Sequence, residues 1–281
     1  MKFNLGCQLS YNIAQPSTLI FNIGVVDNDY QRVLQENLHL DPPLASEEYR
    51  SPGVENRYLR LNAPSGELQI SYRATVEVSH FYAHPDAILE VPIAELPLEI
   101  LPYLYPSRYC QSDQLMRLAE AEFGDLEPGY SKVTAICNWI YDNVTYLSGS
   151  SNSQTSAYDT ATQRVGVCRD FAHLGIALCR ALNIPARFVS GYAYGLRPPD
   201  FHAYFEAYLG HRWYLFDPTR LVPQNGLVRI GIGRDAADVS FATLFGPVQM
   251  DKMQLFVDYL LDAETTAQDI PAPTTAAIAT S

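Results

Sequence analysis

The sequence predicts an α+β protein in two parts. A small β-sandwich comes first, followed by a mixed core in which a helix opening at Cys168 packs on an antiparallel sheet. Two observations carry this reading. The first hundred residues alternate apolar and polar with a period of two, whereas beyond residue 112 the apolar spacing turns helical and then returns to strands. Between the two patterns Pro85, Pro92, Pro97, Pro102 and Pro106 rule out regular helix or central strand and mark an interdomain connection. The expected division is residues 1–100, residues 101–262, and a disordered tail rich in Thr, Ala and Pro at 263–281.

Each element has its own local signal. Phe3, Leu5, Cys7, Leu9, Tyr11 and Ile13 form one apolar face of a first strand, and Leu19, Phe21, Ile23 and Val25 continue the pattern after Gln15-Pro16-Ser17. Leu68 to Val78 alternate in the same way, and Ala63-Pro64-Ser65-Gly66 turns this segment back toward a strand around Tyr58 to Leu61. One apolar face per strand requires a second layer, hence the sandwich. A helix is expected after Ser112-Asp113, which would cap it, and a second over Lys132 to Val144 with Val133, Ile136, Cys137 and Ile140 inward. Ser148 to Ser156 reads as a polar loop. A third helix runs from Cys168 to Leu182, and strands follow at Ala186 to Tyr194, Phe201 to Leu209 and Arg212 to Phe216.

Composition narrows the function. The 281 residues are 47% hydrophobic and 18% charged, enough apolar material for a real core. Nineteen Lys and Arg against 31 Asp and Glu leave a net charge of -12, which disfavours nucleic acid and anionic membranes as partners. Five cysteines at irregular spacing, without a CxxC, argue against a disulfide framework or a thiolate zinc site. No charged and apolar leader precedes Leu5-Gly6-Cys7, so Cys7 is read as an inward strand residue and the chain is expected in the cytoplasm.

Three residues carry the chemistry. Cys168 follows Val165-Gly166-Val167 and opens a helix, where unpaired backbone N–H groups and the helix dipole favour thiolate. His202 and Asp217 lie on strands joined by Gly210-His211. A two-residue turn there pairs residues whose numbers sum to 421, which sets Asp217 opposite Tyr204 and diagonal to His202 on the same face. A three-residue turn would send Asp217 to the other face. In this arrangement His202 takes the Cys168 proton and Asp217 fixes the imidazole. The plainer alternatives are a buried cysteine, a core histidine and an Asp-Pro turn. No third or fourth partner stands at metal-ligand spacing from Cys168 and His202, so neither metal nor cofactor is expected.

The stretches Gly166 to Leu174, Ile184 to Tyr192, His202 to Glu206 and Trp213 to Thr219 resemble the bacterial transglutaminase-like family. The resemblance extends to Tyr103 to Arg108 and Ile232 to Val239, and covers residues 100 to 250. It implies the papain-like, transglutaminase-like fold, with the Cys on a core helix and the His and Asp on the sheet. The β-rich amino-terminal region agrees with that family's bacterial members. A tryptophan that stabilises the oxyanion in the animal enzymes has no match here, since Trp139 falls at a different offset. By analogy with papain-like enzymes Gln163 is a candidate oxyanion donor, and turn and helix-start roles stay open for it.

The resulting expectation is a thiol-dependent amide-bond enzyme acting through Cys168, His202 and Asp217 and a thioester acyl-enzyme. A cysteine peptidase or amidase heads the list. Acyl transfer to an amine, or a non-catalytic peptide-binding module on the same fold, are the alternatives. The partner is a peptide or protein substrate, or a small amide, with specificity in the loops Gly149 to Ser156 and Gly195 to Asp200.

Overall fold

Alternation becomes strand at the amino terminus. The computed structural model describes residues 1–261 and 270–280. It begins with β1 (Lys2–Ile13), β2 (Ser17–Phe21), β3 (Gln31–Asp41), β4 (Ser46–Arg50), β5 (Arg57–Ala63), β6 (Gly66–Val78) and β7 (Phe81–Ala83). The inward face predicted for β1 is buried from Phe3 to Ile13 at no more than 2% exposure, because each of those side chains meets the opposing sheet. The turn at Ala63 to Gly66 is present, but it crosses between layers. β5 pairs with β2 and β4, whereas β6 pairs with β1 and β3.

The core follows with α1 (Ser112–Phe123), α2 (Tyr130–Asn143), β8 (Thr145–Tyr146), α3 (Ala157–Gln163), β9 (Val165–Gly166) and α4 (Cys168–Ala181). Next come β10 (Ala186–Ala193), β11 (His202–Leu209), β12 (Arg212–Phe216) and β13 (Leu227–Gly233), then β14 (Ala242–Phe245), β15 (Val248–Tyr259) and β16 (Ala277–Ala279). The predicted inward residues of α2 are all buried. Ser112 starts α1 as a buried residue and makes no side-chain cap. α4 lies on β10 and β11, and Gly175 makes this possible: a Cβ there would stand 2.5 Å from Phe205 Cε1.

Among the described residues three larger sheets form, beside the two-stranded β8-β9 ladder. The sandwich consists of β15-β1-β6-β3 over β14-β2-β5-β4, and the core sheet runs β13-β10-β11-β12-β16-β7. Strand pairing crosses the expected boundaries at 100 and 262. β7 belongs to the core sheet, and β14 and β15 return to the sandwich, where β15 flanks β1. The proline-rich stretch packs as short 3-10 turns, with Val91, Leu96 and Ile100 against Tyr208 and Trp213 of the core sheet.

The expected disordered tail is also corrected where it is described; residues 262–269 and 281 lie outside the described residues. Ala277, Ile278 and Ala279 are fully buried between β12 and β7. Thr280 then joins a buried network, taking Arg229 on its carbonyl (2.8 Å) and meeting Glu206 through its hydroxyl. Arg187 and Arg229 hold the fully buried Glu206 carboxylate; burial would raise it, and the two guanidinium groups outweigh that and keep it low.

Two side-chain amides join the halves along the outer edge of β13. Gln31 donates to Arg229 O (2.9 Å) and accepts from Arg229 N (2.7 Å). Asn56 does the same with Ile232, at 2.7 and 2.8 Å. These carboxamides satisfy an edge strand that would otherwise present free backbone groups.

Candidate active site

Cys168 is the first residue of α4, and its neighbours fix where the helix begins. Asp170, with no exposed surface, accepts the Val167 N–H at 2.9 Å through Oδ2 and the Ser151 hydroxyl at 3.0 Å through Oδ1. This is the N-terminal capping expected of a carboxylate in the first turn. Arg169 reaches Ser151 (2.7 Å) and Asn152 (2.5 Å), so the polar loop at 148–156 is pinned onto the helix start. Cys168 is half-buried, in contrast to Cys7, Cys110, Cys137 and Cys179, which are buried and unpaired. Burial pushes the Cys7 thiol up to about 11 and Cys110 to about 12, and raises Cys137 and Cys179 as well.

The second half of the site is built by register. Leu209 pairs with Arg212 and Phe205 with Phe216, the sum of 421 that a two-residue turn requires. Gly210 and His211 have φ of 52° and 63°, both positive as in a type I′ turn. The consequence is a contact between His202 Nε2 and Asp217 Oδ2 at 2.7 Å, with both side chains at most 1% exposed. Since an ionised carboxylate only accepts, Nε2 carries the hydrogen. Asp217 Oδ1 is held independently by Thr219 N (3.0 Å) and Thr219 Oγ1 (2.8 Å). Turn formation and imidazole orientation thus use different oxygens of one carboxylate.

The electrostatics follow from this pairing. Burial alone would lower the His202 pKa, but the Asp217 charge and hydrogen bond, with Cys168 beside the ring, push it up to about 10. With Nε2 committed, Nδ1 is the nitrogen left for the sulfur, and it is buried without another hydrogen-bond partner. Such an orphaned polar atom calls for a functional explanation.

Sequence reasoning missed Tyr146. The short parallel ladder of β8 with β9 places Tyr146 beside Gly166, secured by Leu147 N to Gly166 O at 2.9 Å. Cys168, through its thiol and its backbone, acts on the Tyr146 phenol, while the ring packs against Phe171 at 5.8 Å. Burial, then the charges of Cys168 and Asp200, raise its phenol to about 12. Nothing local signals this, because the ladder joins segments separated by the whole of α3. Thr219 was legible in principle, as the second residue after an Asp in a turn.

Other candidates fall elsewhere. Gln163 ends α3 with its side chain exposed, and no hydrogen bond ties it to Cys168, His202 or Asp217. Trp139 packs under the Arg164 guanidinium at 4.5 Å and against Phe123. His173 is buried between Tyr109 and Phe188, and accepts the Ala236 N–H at 3.1 Å. Tyr192 is fully buried, and Tyr204, also buried, borders a small internal cavity with Gln31, His80 and Arg229. A groove of about 810 Å³ opens beside Asp217, with Tyr130, Phe216 and Arg220 in its walls. Among the described residues no group of three His, Cys, Asp or Glu side chains is placed to hold a metal ion. No helix there is long and apolar enough to cross a membrane.

This geometry has relatives. The profile of the transglutaminase-like superfamily matches residues 117–218, a span that contains Cys168, His202 and Asp217. The profile described as bacterial transglutaminase, N-terminal domain, matches residues 1–99. A crystal structure from Cytophaga hutchinsonii, described as that of a putative cysteine protease, is 47% identical with a TM-score of 0.91. It covers 99% of this chain and 97% of its own. An uncharacterized protein of Mycobacterium leprae is 26% identical over 245 residues, 82% of this chain and 88% of that protein. One from Mycobacterium tuberculosis is 29% identical over 238 residues, 74% of this chain and 75% of that protein. With both halves matched in order and a near-complete structural counterpart, the chain belongs to the bacterial transglutaminase-like family.

Proposed function

We propose that the protein is a thiol-dependent amide-bond enzyme, a cysteine peptidase or amidase, working through Cys168, His202 and Asp217. The observation that carries this reading is the His202–Asp217 contact at 2.7 Å, with Nδ1 left unpartnered beside a half-buried thiol. The description of the Cytophaga hutchinsonii counterpart as a putative cysteine protease supports the same direction.

In this mechanism the Cys168 proton passes to His202 Nδ1, and the sulfur attacks the amide carbonyl carbon. A C–S bond forms as the carbonyl π pair moves onto oxygen. In this reading the Cys168 N–H and the Tyr146 hydroxyl donate to that oxygen. His202 returns its proton to the nitrogen, the C–N bond breaks and the amine leaves. Water, or an amine in the transferase alternative, then attacks the thioester; its proton goes to His202 and the thiolate departs. Asp217 stays ionised and holds the ring throughout.

Three assays on one preparation test the reading: ammonia release from glutamine peptides, cleavage of backbone amides, and incorporation of a labelled amine. Activity in the first or second, abolished in Cys168→Ala, supports hydrolysis. Activity confined to the third assigns amine transfer. Tight peptide binding with no turnover in any of them leaves the binding module as the function.

A further inference from the structure

A carboxylate with no exposed surface lies two residues beyond Cys168, and the mechanism does not use it. Asp170 stands in the first turn of α4, and the residue before the helix is Val167, whose side chain has no oxygen to offer. An N-cap serine, threonine or aspartate would set its oxygen over the first-turn N–H groups. Here the cap runs the other way. Asp170 Oδ2 accepts the Val167 N–H at 2.9 Å, on the chain that precedes Cys168. Asp170 N and Phe171 N both bond Val167 O, at 2.9 and 3.1 Å. Among the described residues no backbone carbonyl accepts the Cys168 or Arg169 N–H.

The carboxylate is itself held in place by the loop at 148–156. Oδ1 accepts the Ser151 hydroxyl at 3.0 Å and lies 3.3 Å from Arg169 Nη2. The same Nη2 donates to Ser151 Oγ (2.7 Å) and Asn152 O (2.5 Å), and the Tyr109 hydroxyl donates to Ser153 O at 2.8 Å. Gly166 leaves the room these contacts need: a Cβ there would stand 2.8 Å from Asp170 Cβ. Burying a charge is costly unless it is fully partnered, and a serine at position 167 would cap the helix without that cost. Helix capping alone therefore does not account for the arrangement.

We propose that Asp170 is a positioning residue for the nucleophile, and that Ser151 holds it in that role. Capping from inside the helix fixes the backbone at Val167 and Cys168 while no cap oxygen stands in front of the first turn. The Cys168 N–H stays aimed at the carbonyl oxygen of the substrate, and its aim depends on the docked loop at 148–156. The inference rests on Cys168 being the nucleophile. It makes Ser151, seventeen residues upstream, part of the support of the reaction centre.

Two reactions of one sulfur separate positioning from mere folding. With p-nitrophenyl acetate the thiolate attacks a carbonyl, an oxyanion forms, and the C–S bond replaces the C–O bond as p-nitrophenolate leaves. With iodoacetamide the thiolate displaces iodide from a saturated carbon, and no oxyanion develops. The ratio of the two rate constants at Cys168 is compared in the wild type, Asp170→Ala, Asp170→Asn and Ser151→Ala, with Cys168→Ala as the background. The acylation-to-alkylation ratio is expected to fall about tenfold in Asp170→Ala and about fivefold in Ser151→Ala, a loop variant that leaves the helix sequence intact. Asp170→Asn, whose amide can accept from Val167 N–H and donate to Ser151 Oγ, should recover most of the loss. An unchanged ratio in Asp170→Ala or in Ser151→Ala overturns the proposal, even where both rates drop together. A ratio in Asp170→Asn as low as in Asp170→Ala overturns it too. Wild-type acylation no faster than in Cys168→Ala fails the nucleophile reading itself, whereas normal wild-type acylation with unchanged ratios fails Asp170 alone.

Discussion

His202 and Asp217 meet at 2.7 Å because a two-residue turn at Gly210-His211 puts them diagonally on one face of a hairpin. Inserting one glycine after Gly210 changes the pairing sum from 421 to 422 and turns Asp217 away from His202. Activity is expected to vanish while circular dichroism still reports folded protein. Retained turnover in the insertion variant contradicts the role given to this contact.

Asp217→Asn keeps the shape but removes the charge that holds His202 cationic. Turnover is expected to fall by about three to four orders of magnitude. The His202 ring signals, followed by NMR, should titrate well below the wild-type value of about 10.

The same pair makes stability pH-dependent. The folded pKa of His202, about 10, lies above its ordinary 6.5, so the folded state holds the proton more tightly. The contribution is complete below pH 6.5 and is lost as pH rises through 10. Thermal melts should therefore show the Tm advantage of wild type over His202→Gln shrinking between pH 7 and pH 10.5. A constant difference across that window excludes the ion pair.

Tyr146→Phe removes one hydroxyl and little else. A loss in kcat of about a hundredfold at nearly constant KM is expected for an oxyanion donor. A rise in kcat would instead identify a residue that blocks the oxyanion position. Gln163→Ala, measured beside it, asks whether the exposed amide at the end of α3 adds anything.

Gly175→Ala places a methyl group 2.5 Å from Phe205 Cε1, between α4 and β11. Overpacking of this kind costs about 1–3 kcal/mol. Urea denaturation should register the loss, and Phe205→Leu in the same chain should restore part of it.

The readable parts of the fold were those with one buried face. β1 and β6 expose polar residues on one side only, so their alternation is plain. β4, all five residues exposed, and β3, nearly so, carry no such contrast, and both escaped detection. The Thr-Ala-Pro composition of the last residues suggested disorder, yet Ala277 and Ala279 are small enough to be enclosed between two strands. Within the site, His202 and Asp217 were placed by turn arithmetic because hairpin pairing is local. Tyr146 depends on a parallel ladder closed across an intervening helix, and long-range pairing of that kind leaves no periodic trace.

The return of β14 and β15 to the sandwich, after the whole core has been built, limits how such a protein can be rearranged. Genetic exchange moves contiguous stretches of chain. A graft beginning near residue 100 would carry two strands whose partners, β1 and β2, stay behind. It would also leave Gln31 and Asn56 without the backbone they clasp. The two halves are thus held together by strand pairing, and neither can be exchanged alone without leaving strands unpaired.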